Sequence, residues 1–210
     1  MNKNLILLFT ILVTSFGFSQ NNEKAERILE KVTEELEQYQ NISIEFIHTL
    51  ENKMVNIKQS SKGSAIIEGD KYILHYLDNI ILFDENFNYA ISPENEEINI
   101  TAKNEISQES LTPSKLLSFY KKGYNYLLDK KEEHLQYIKL TPSKISEEVS
   151  YVLLAIDTQK NQINSLTEIG KNGTNTNFTI TDYKTNQTLD PNTFYFDKKK
   201  YEALGYYINE

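Results

Sequence analysis

From Asn41 onward the chain is cut into short runs of β-branched and aromatic residues by turn chemistry, and this spacing constrains the fold more than any other feature. Candidate strands cover Ile42–Leu50, Met54–Ile67, Lys71–Leu77, Ile80–Phe83, Tyr89–Ser92 and Glu97–Thr101. Turns fall at Glu68-Gly69-Asp70, Asp84-Glu85-Asn86 and Ser92-Pro93-Glu94-Asn95. A parallel pair needs a crossover of a dozen or more residues, and these gaps are too short for one, so neighbouring strands must run antiparallel. The texture resumes at Leu135–Leu140, Val149–Asp157, Gln162–Gly170, Asn175–Tyr183 and Thr193–Phe196, with Asn172-Gly173 as the strongest hairpin signal. The 14 Tyr and 10 Phe, in a chain without Trp, suit a sheet. A sheet of about 10–11 strands tends to curl. The expected fold is therefore mainly β (α+β): an incomplete antiparallel barrel closed by helices.

Two segments break the strand texture. Before Asn41, Ala25, Ile28, Leu29, Val32, Leu36 and Tyr39 recur at helical spacing, with Glu23, Glu26, Glu30, Glu34 and Glu37 among the solvated positions. A core helix and a lid over a cavity fit that stripe equally well. The second segment runs from Thr112 to Leu128, where Thr112 followed by Pro113 supplies a cap and a first-turn proline. Leu116, Leu117, Phe119, Tyr120, Tyr124, Leu127 and Leu128 make this predicted helix apolar around most of its circumference, the mark of a buried element.

At the N-terminus, Lys3 precedes an apolar run from Leu5 to Val13 and the small residues Gly17 and Ser19, the tripartite pattern of a signal peptide. The run is about half of the roughly 20 residues that a membrane span requires. The expected organisation is a signal peptide over 1–19 and one soluble domain over 20–210. With no cysteine, the exported chain has no disulfides and no thiol for lipid attachment. The formal charge is −8, and loss of Lys3 makes it −9. Nucleic acid is excluded as a partner, because counterion release needs clustered Lys and Arg, and Arg27 is the sole arginine.

Catalytic chemistry is sparse. There is no nucleophile elbow, no phosphate-binding loop, no dinucleotide fingerprint and no H-E-x-x-H. His48, His75 and His134 lie far apart, none at metal-ligand spacing, and read as solvated or strand-packed. No cofactor is expected. One unusual feature remains: Tyr72–Leu77, Ile80–Phe83 and Val152–Ile156 are apolar at successive positions. A sheet with one wet face should alternate, so the second face must meet helices, another sheet or a ligand.

In order along the chain, the landmarks resemble the periplasmic outer-membrane lipoprotein carrier (LolA) family. They are the amphipathic helix leading into Asn41-Ile42-Ser43-Ile44-Glu45-Phe46, the glycine-started strand Gly63–Ile67, and the hairpin joining Phe83-Asp84 to Tyr89-Ala90-Ile91-Ser92-Pro93. Leu111–Leu117, Tyr137–Pro142, Leu154–Asp157, Phe178–Tyr183 and Phe194-Tyr195-Phe196 continue the pattern. The resemblance implies an incomplete barrel around a hydrophobic cavity for acyl chains, with candidate lining residues Phe46, Ile73, Leu82, Tyr89, Ile91, Leu116, Leu117 and Tyr120. It also implies a non-enzymatic, monomeric periplasmic shuttle. Its partners would be acylated lipoproteins, an inner-membrane ABC-type exporter and an outer-membrane acceptor. A lipoprotein-sensing regulator and, more remotely, a secreted lipid hydrolase are the alternatives. One departure stands out: the arginine that family members carry near Gly69-Asp70-Lys71 is absent, and Lys71 lacks the fork geometry to replace it.

Overall fold

The computed structural model describes residues 22–105, 112–146 and 148–210, so the signal-peptide reading lies outside the described residues. Helix α1 (residues 22–37) precedes β1 (Ile42–Asn52), β2 (Ile57–Glu68), β3 (Lys71–Tyr76), β4 (Asn79–Phe83), β5 (Phe87–Ser92) and β6 (Glu97–Ala102). After these come α2 (Pro113–Leu116), β7 (Tyr124–Glu132), β8 (Leu135–Pro142), β9 (Val149–Asp157), β10 (Gln162–Gly170), β11 (Thr174–Thr185), α3 (Lys198–Ala203) and β12 (Tyr207–Asn209). The protein is mainly β and dominated by antiparallel pairing, as its turn spacing requires; the 12 strands among the described residues exceed the expected number slightly.

The strands divide between two compact units. One comprises the described residues up to Glu37 together with Tyr120–Asn175. Its strands lie in the order β10-β9-β8-β7. The register Ile138↔Leu154 and Leu140↔Val152 aligns fully buried side chains across β8 and β9. On β10, a one-residue irregularity between Ile163 and Ser165 lets Ile163 face Ile156 while Leu166 faces Leu154. Without that bulge, two residues three apart would point to opposite sides of the pleat. Helix α1 buries Ala25, Leu29 and Val32, one stripe at the spacing read from sequence.

The other unit comprises Gln38–Phe119 and Thr176–Glu210. Its strands follow the order β12-β6-β5-β4-β3-β2-β1-β11, antiparallel throughout β1–β6. Strand β12 departs from the meander by running parallel on β6, pairing Tyr207–Asn209 with Glu97–Asn99.

The helix expected over 112–128 is not formed. Thr112 does cap α2, its hydroxyl accepting from the Lys115 amide at 3.2 Å, and Pro113 takes the first turn. The helix then stops after four residues and gives way to a 3-10 turn at Phe119–Lys121. Gly123, at φ +88°, reverses the chain into β7. There Tyr124, Tyr126 and Leu128 pair with β8 at Pro142, Leu140 and Ile138. The apolar run is long enough for a helix, but Gly123 is a strong terminator and the aromatic-rich residues after it suit a strand. Thr193–Phe196, expected as a strand, is a turn leading to α3, with the Asp197 carboxylate accepting from the Lys200 amide at 3.1 Å. Replacing Leu154, fully buried between Ile138 and Leu166, with alanine should cost about 2–5 kcal/mol of stability in urea titrations, through lost transfer energy and a residual cavity.

Candidate functional site

Register sorts the apolar residues of the β1–β6 sheet onto two faces. On one face, Phe46, Gly63 and Tyr76 stand in a row across the strands. Beside them run Ile44, Ala65, Leu74 and Ile81, and then Ile42, Ile67, Tyr72 and Phe83. On the opposite face, Ile73, Leu82, Tyr89 and Ile100 form one row, and Ile80, Ile91 and Ile98 another. Doubly apolar strands are thus explained locally: successive residues of β3 and β4 serve different interiors.

The face bearing Ile73, Leu82, Tyr89 and Ile91 is covered by the C-terminal segment, with Ile73, Ile80 and Ile100 half-buried. Phe196, Tyr201, Tyr206 and Ile208 pack on the buried cluster of Leu82, Tyr89, Ile91 and Ile98. Tyr89 stacks on Phe196 at 4.2 Å between ring centroids, Phe196 on Tyr201 at 5.4 Å, and Tyr206 meets Tyr201 edge-on at 5.1 Å. Burial, followed by a 2.8 Å hydrogen bond donated to the Asp84 carboxylate, pushes the Tyr89 hydroxyl up to about 12. Asp84 meanwhile accepts from the amides of Asn86 and Phe87, holding the β4–β5 turn. A cleft of about 490 Å³ remains at the margin, lined by Phe87, Tyr89, Ile100, Ala102 and Phe196.

The Phe46 face is built differently. The Phe46 ring lies over Gly63: a Cβ placed on that glycine would come within 2.4 Å of Phe46 Cζ and 3.0 Å of the His75 carbonyl oxygen. Phe46 also lies 5.9 Å from Tyr76 and 6.0 Å from Phe178. His48 stacks on Phe178 at 4.5 Å and hydrogen-bonds the Tyr76 hydroxyl through Nδ1. Burial lowers the His48 imidazole below its ordinary value, favouring the neutral form. Leu74, Tyr76 and Ile81 on this face are only half-buried. A cleft of about 630 Å³ is lined by Phe46, Gly63 and Tyr76 but also by Glu45, Ile47, Lys62, Ser64, His75 and Ile80, whose parity is that of the opposite face.

The eight residues singled out from sequence therefore do not form one lining. Phe46 stands on one face, and Ile73, Leu82, Tyr89 and Ile91 on the other, because a one-residue change of parity inverts the side a strand residue faces. Leu117 is buried behind α2, which packs on β2 and β3; the side chain of Leu116 lies outside the described ones. Tyr120 belongs to the other unit, where its hydroxyl lies 3.1 Å from Thr33 Oγ1 and its carbonyl accepts from Tyr126 at 2.7 Å. It borders a separate cleft of about 370 Å³ with Leu29, Thr33 and Tyr126. The Phe46 face gathers Leu74, Tyr76, Ile81 and Phe178, which the sequence reading did not single out. The available signal was Gly63, since a glycine inside a strand marks close approach by a neighbouring group. Among the described residues, no cluster of three or more His, Cys, Asp or Glu is disposed to hold a metal, and no helix is long and apolar enough to cross a membrane.

The model of the family described as outer membrane lipoprotein carrier protein LolA matches residues 37–197. The chain belongs to the LolA family. No curated protein sequence matches it. Among solved structures, an uncharacterized conserved protein from Thermus thermophilus has a TM-score of 0.53 at 10% identity, over 88% of this chain and 98% of that one. The complex of MucA and MucB from Pseudomonas aeruginosa gives 0.50 at 14% identity over 83% of this chain, which spans 61% of the chain matched. At such identities the likeness is one of fold, and the fold is LolA-like. Lys71 makes an ion pair with Glu68 and lies 5.0 Å from the Phe194 ring centre, so its charge is engaged locally.

The Phe46–Gly63 contact is testable by a double-mutant cycle. Gly63→Ala alone should destabilise the protein by about 1–3 kcal/mol through overpacking, and Phe46→Leu should relieve most of that penalty, leaving a coupling energy measurable by denaturant titration. His48 supplies a pH signature. Its depressed folded-state value means that the unfolded chain protonates first, so its contribution is complete above 6.5 and is lost as the pH falls below it. His48→Gln should flatten the stability profile there, and an unchanged slope would assign it to other groups.

Proposed function

We propose that the protein is a periplasmic carrier that shields the acyl chains of lipoproteins between an inner-membrane exporter and an outer-membrane acceptor, and that it binds without catalysing a reaction. Membership of the LolA family supports a lipid-binding role. The observation that carries the reading on this chain is the inequality of its two apolar sheet faces. One face carries the chain's own C-terminal aromatics over the half-buried Ile73, Ile80 and Ile100; on the other, Leu74, Tyr76 and Ile81 are half-buried beside Phe46 and Phe178. Exposed acyl chains cost roughly 0.8 kcal/mol per methylene, so a carrier must offer apolar surface not already saturated by its own side chains.

The acyl-contacting set is accordingly Phe46, Leu74, Tyr76, Ile81 and Phe178, with Leu117 buried behind α2. Ile73, Leu82, Tyr89 and Ile91 serve instead to hold the C-terminal segment. The rings and the single stiffening contact at Gly63 give a surface that is broad and poorly directional, which suits tails of varied length.

Native mass spectrometry of protein recovered from a double-membraned host should reveal co-purifying lipopeptide. Leu74→Asp, which sets a carboxylate on the half-buried face, should weaken uptake of a fluorescent acyl probe at least tenfold, about 1.4 kcal/mol. Leu82→Ala on the covered face should lower stability while leaving probe affinity per folded molecule unchanged. Equal loss of probe binding in both variants, or uptake insensitive to Leu74→Asp, overturns the assignment of the face.

A further inference from the structure

Strands β1 and β2 outrun β3. Strand β2 pairs with β3 only from Gly63 to Glu68, yet its pairing with β1 continues to Asn52↔Ile57. Residues 57–62 thus extend past β3 for about 20 Å, at 3.4 Å per residue. Most of them are exposed. The projecting hairpin is well formed: Thr49 and Ser60 hydroxyls meet across it at 3.4 Å. At the turn, the Asn52 side chain accepts from the Met54 amide at 3.0 Å, and Asn56 adopts φ +52°.

The tip of this hairpin is apolar. Met54 is 82% exposed, Val55 61% and Ile57 43%, within four consecutive positions. Other exposed large apolar residues, such as Leu77, Leu127 and Ile145, stand alone in sequence. Lys53 and Lys58 flank the tip, with the acid Glu51 across from Lys58, in a chain whose formal charge is −8. A local positive collar on an acidic protein, surrounding three side chains that gain nothing from water, has the charge and polarity profile of the headgroup boundary of an anionic bilayer.

We propose that the β1–β2 hairpin is a reversible membrane-surface anchor, with Met54, Val55 and Ile57 entering the acyl boundary and Lys53 and Lys58 meeting lipid phosphates. Three small side chains give weak, transient attachment, so the protein visits a membrane without residing on it. The tip shares no residue with the acyl-contacting set, and the proposal stands independently of the carrier reading.

The test uses the whole purified protein and vesicles of phosphatidylethanolamine with phosphatidylglycerol, compared with phosphatidylcholine alone. The wild type should co-sediment with the anionic vesicles, less so as salt rises. Met54→Ser with Val55→Ser, and separately Lys53→Glu with Lys58→Glu, should each weaken partitioning by about tenfold or more while circular dichroism and acyl-probe uptake stay unchanged. The chain has no Trp, so Met54→Trp is a site-specific reporter whose emission should shift to the blue on anionic vesicles, whereas Tyr195→Trp, at a 64% exposed position, should not shift. The proposal fails if the wild type ignores anionic vesicles, if both tip variants bind as tightly as the wild type, or if Met54→Trp emission is unmoved. Retention only on vesicles carrying membrane proteins would assign the tip to a protein partner and overturn the lipid assignment.

Discussion

A pleated sheet with apolar residues at successive positions has two faces to keep from water, and the rest of this structure follows from how differently it does so. On the Leu82–Tyr89–Ile91–Ile98 side, the ladder of rings from Tyr89 through Phe196 and Tyr201 to Tyr206 fills the space with the chain's own C-terminal segment. Aromatic stacking adds directional preference to area burial, which makes this cover a fixed one. On the Phe46 side, packing is set by the absence of a side chain at Gly63, and several apolar groups stay partly open. The chain has no disulfide to compensate for an underfilled face, so the rigid cover on one side and the fully buried Ile138–Leu154 layer of the other unit must supply the stability that the open face does not.

The charge pattern is arranged around the same asymmetry. The covered side needs its polar groups satisfied internally, and Asp84 does this by accepting from two amides and from the Tyr89 hydroxyl at once. A three-fold acceptor of this kind fixes a turn that would otherwise expose the edge of the cluster. Lys71 is committed to Glu68 and the Phe194 ring, within the same unit.

Much of the fold is legible because turn spacing is a covalent constraint. The strands around Glu68-Gly69-Asp70, Asp84-Glu85-Asn86 and Asn172-Gly173 lie where turn chemistry puts them, and Gly173 adopts the φ +81° that such a turn demands. The segment 112–128 reads wrongly as helix since apolar content without a clear period does not separate helix from strand; Gly123 outweighs it. The short α3 and the three-residue β12 carry almost no periodic signal of their own; Phe196, just before α3, stacks on Tyr89, and Tyr201 of α3 stacks on Phe196. The candidate site is half legible. Phe46 stands out in sequence, yet its companions Leu74, Tyr76 and Ile81 do not separate from Ile73 and Leu82, because strand sequence gives the alternation but not which parity faces which interior.

Strand β12 completes the account in a way that concerns solubility. Without β12 the sheet would end at β6 on that side, and Glu97–Asn99 would offer free amides and carbonyls to an extended peptide; instead Tyr207–Asn209 lies along them in parallel. A three-residue clasp protects the rim without inviting further growth, since so short a segment is a poor template for the next strand. Loss of the last few residues, by nicking or truncation, would therefore do more than loosen an aromatic stack: it would uncap the Glu97–Asn99 ladder and lengthen the edge along which another strand can pair.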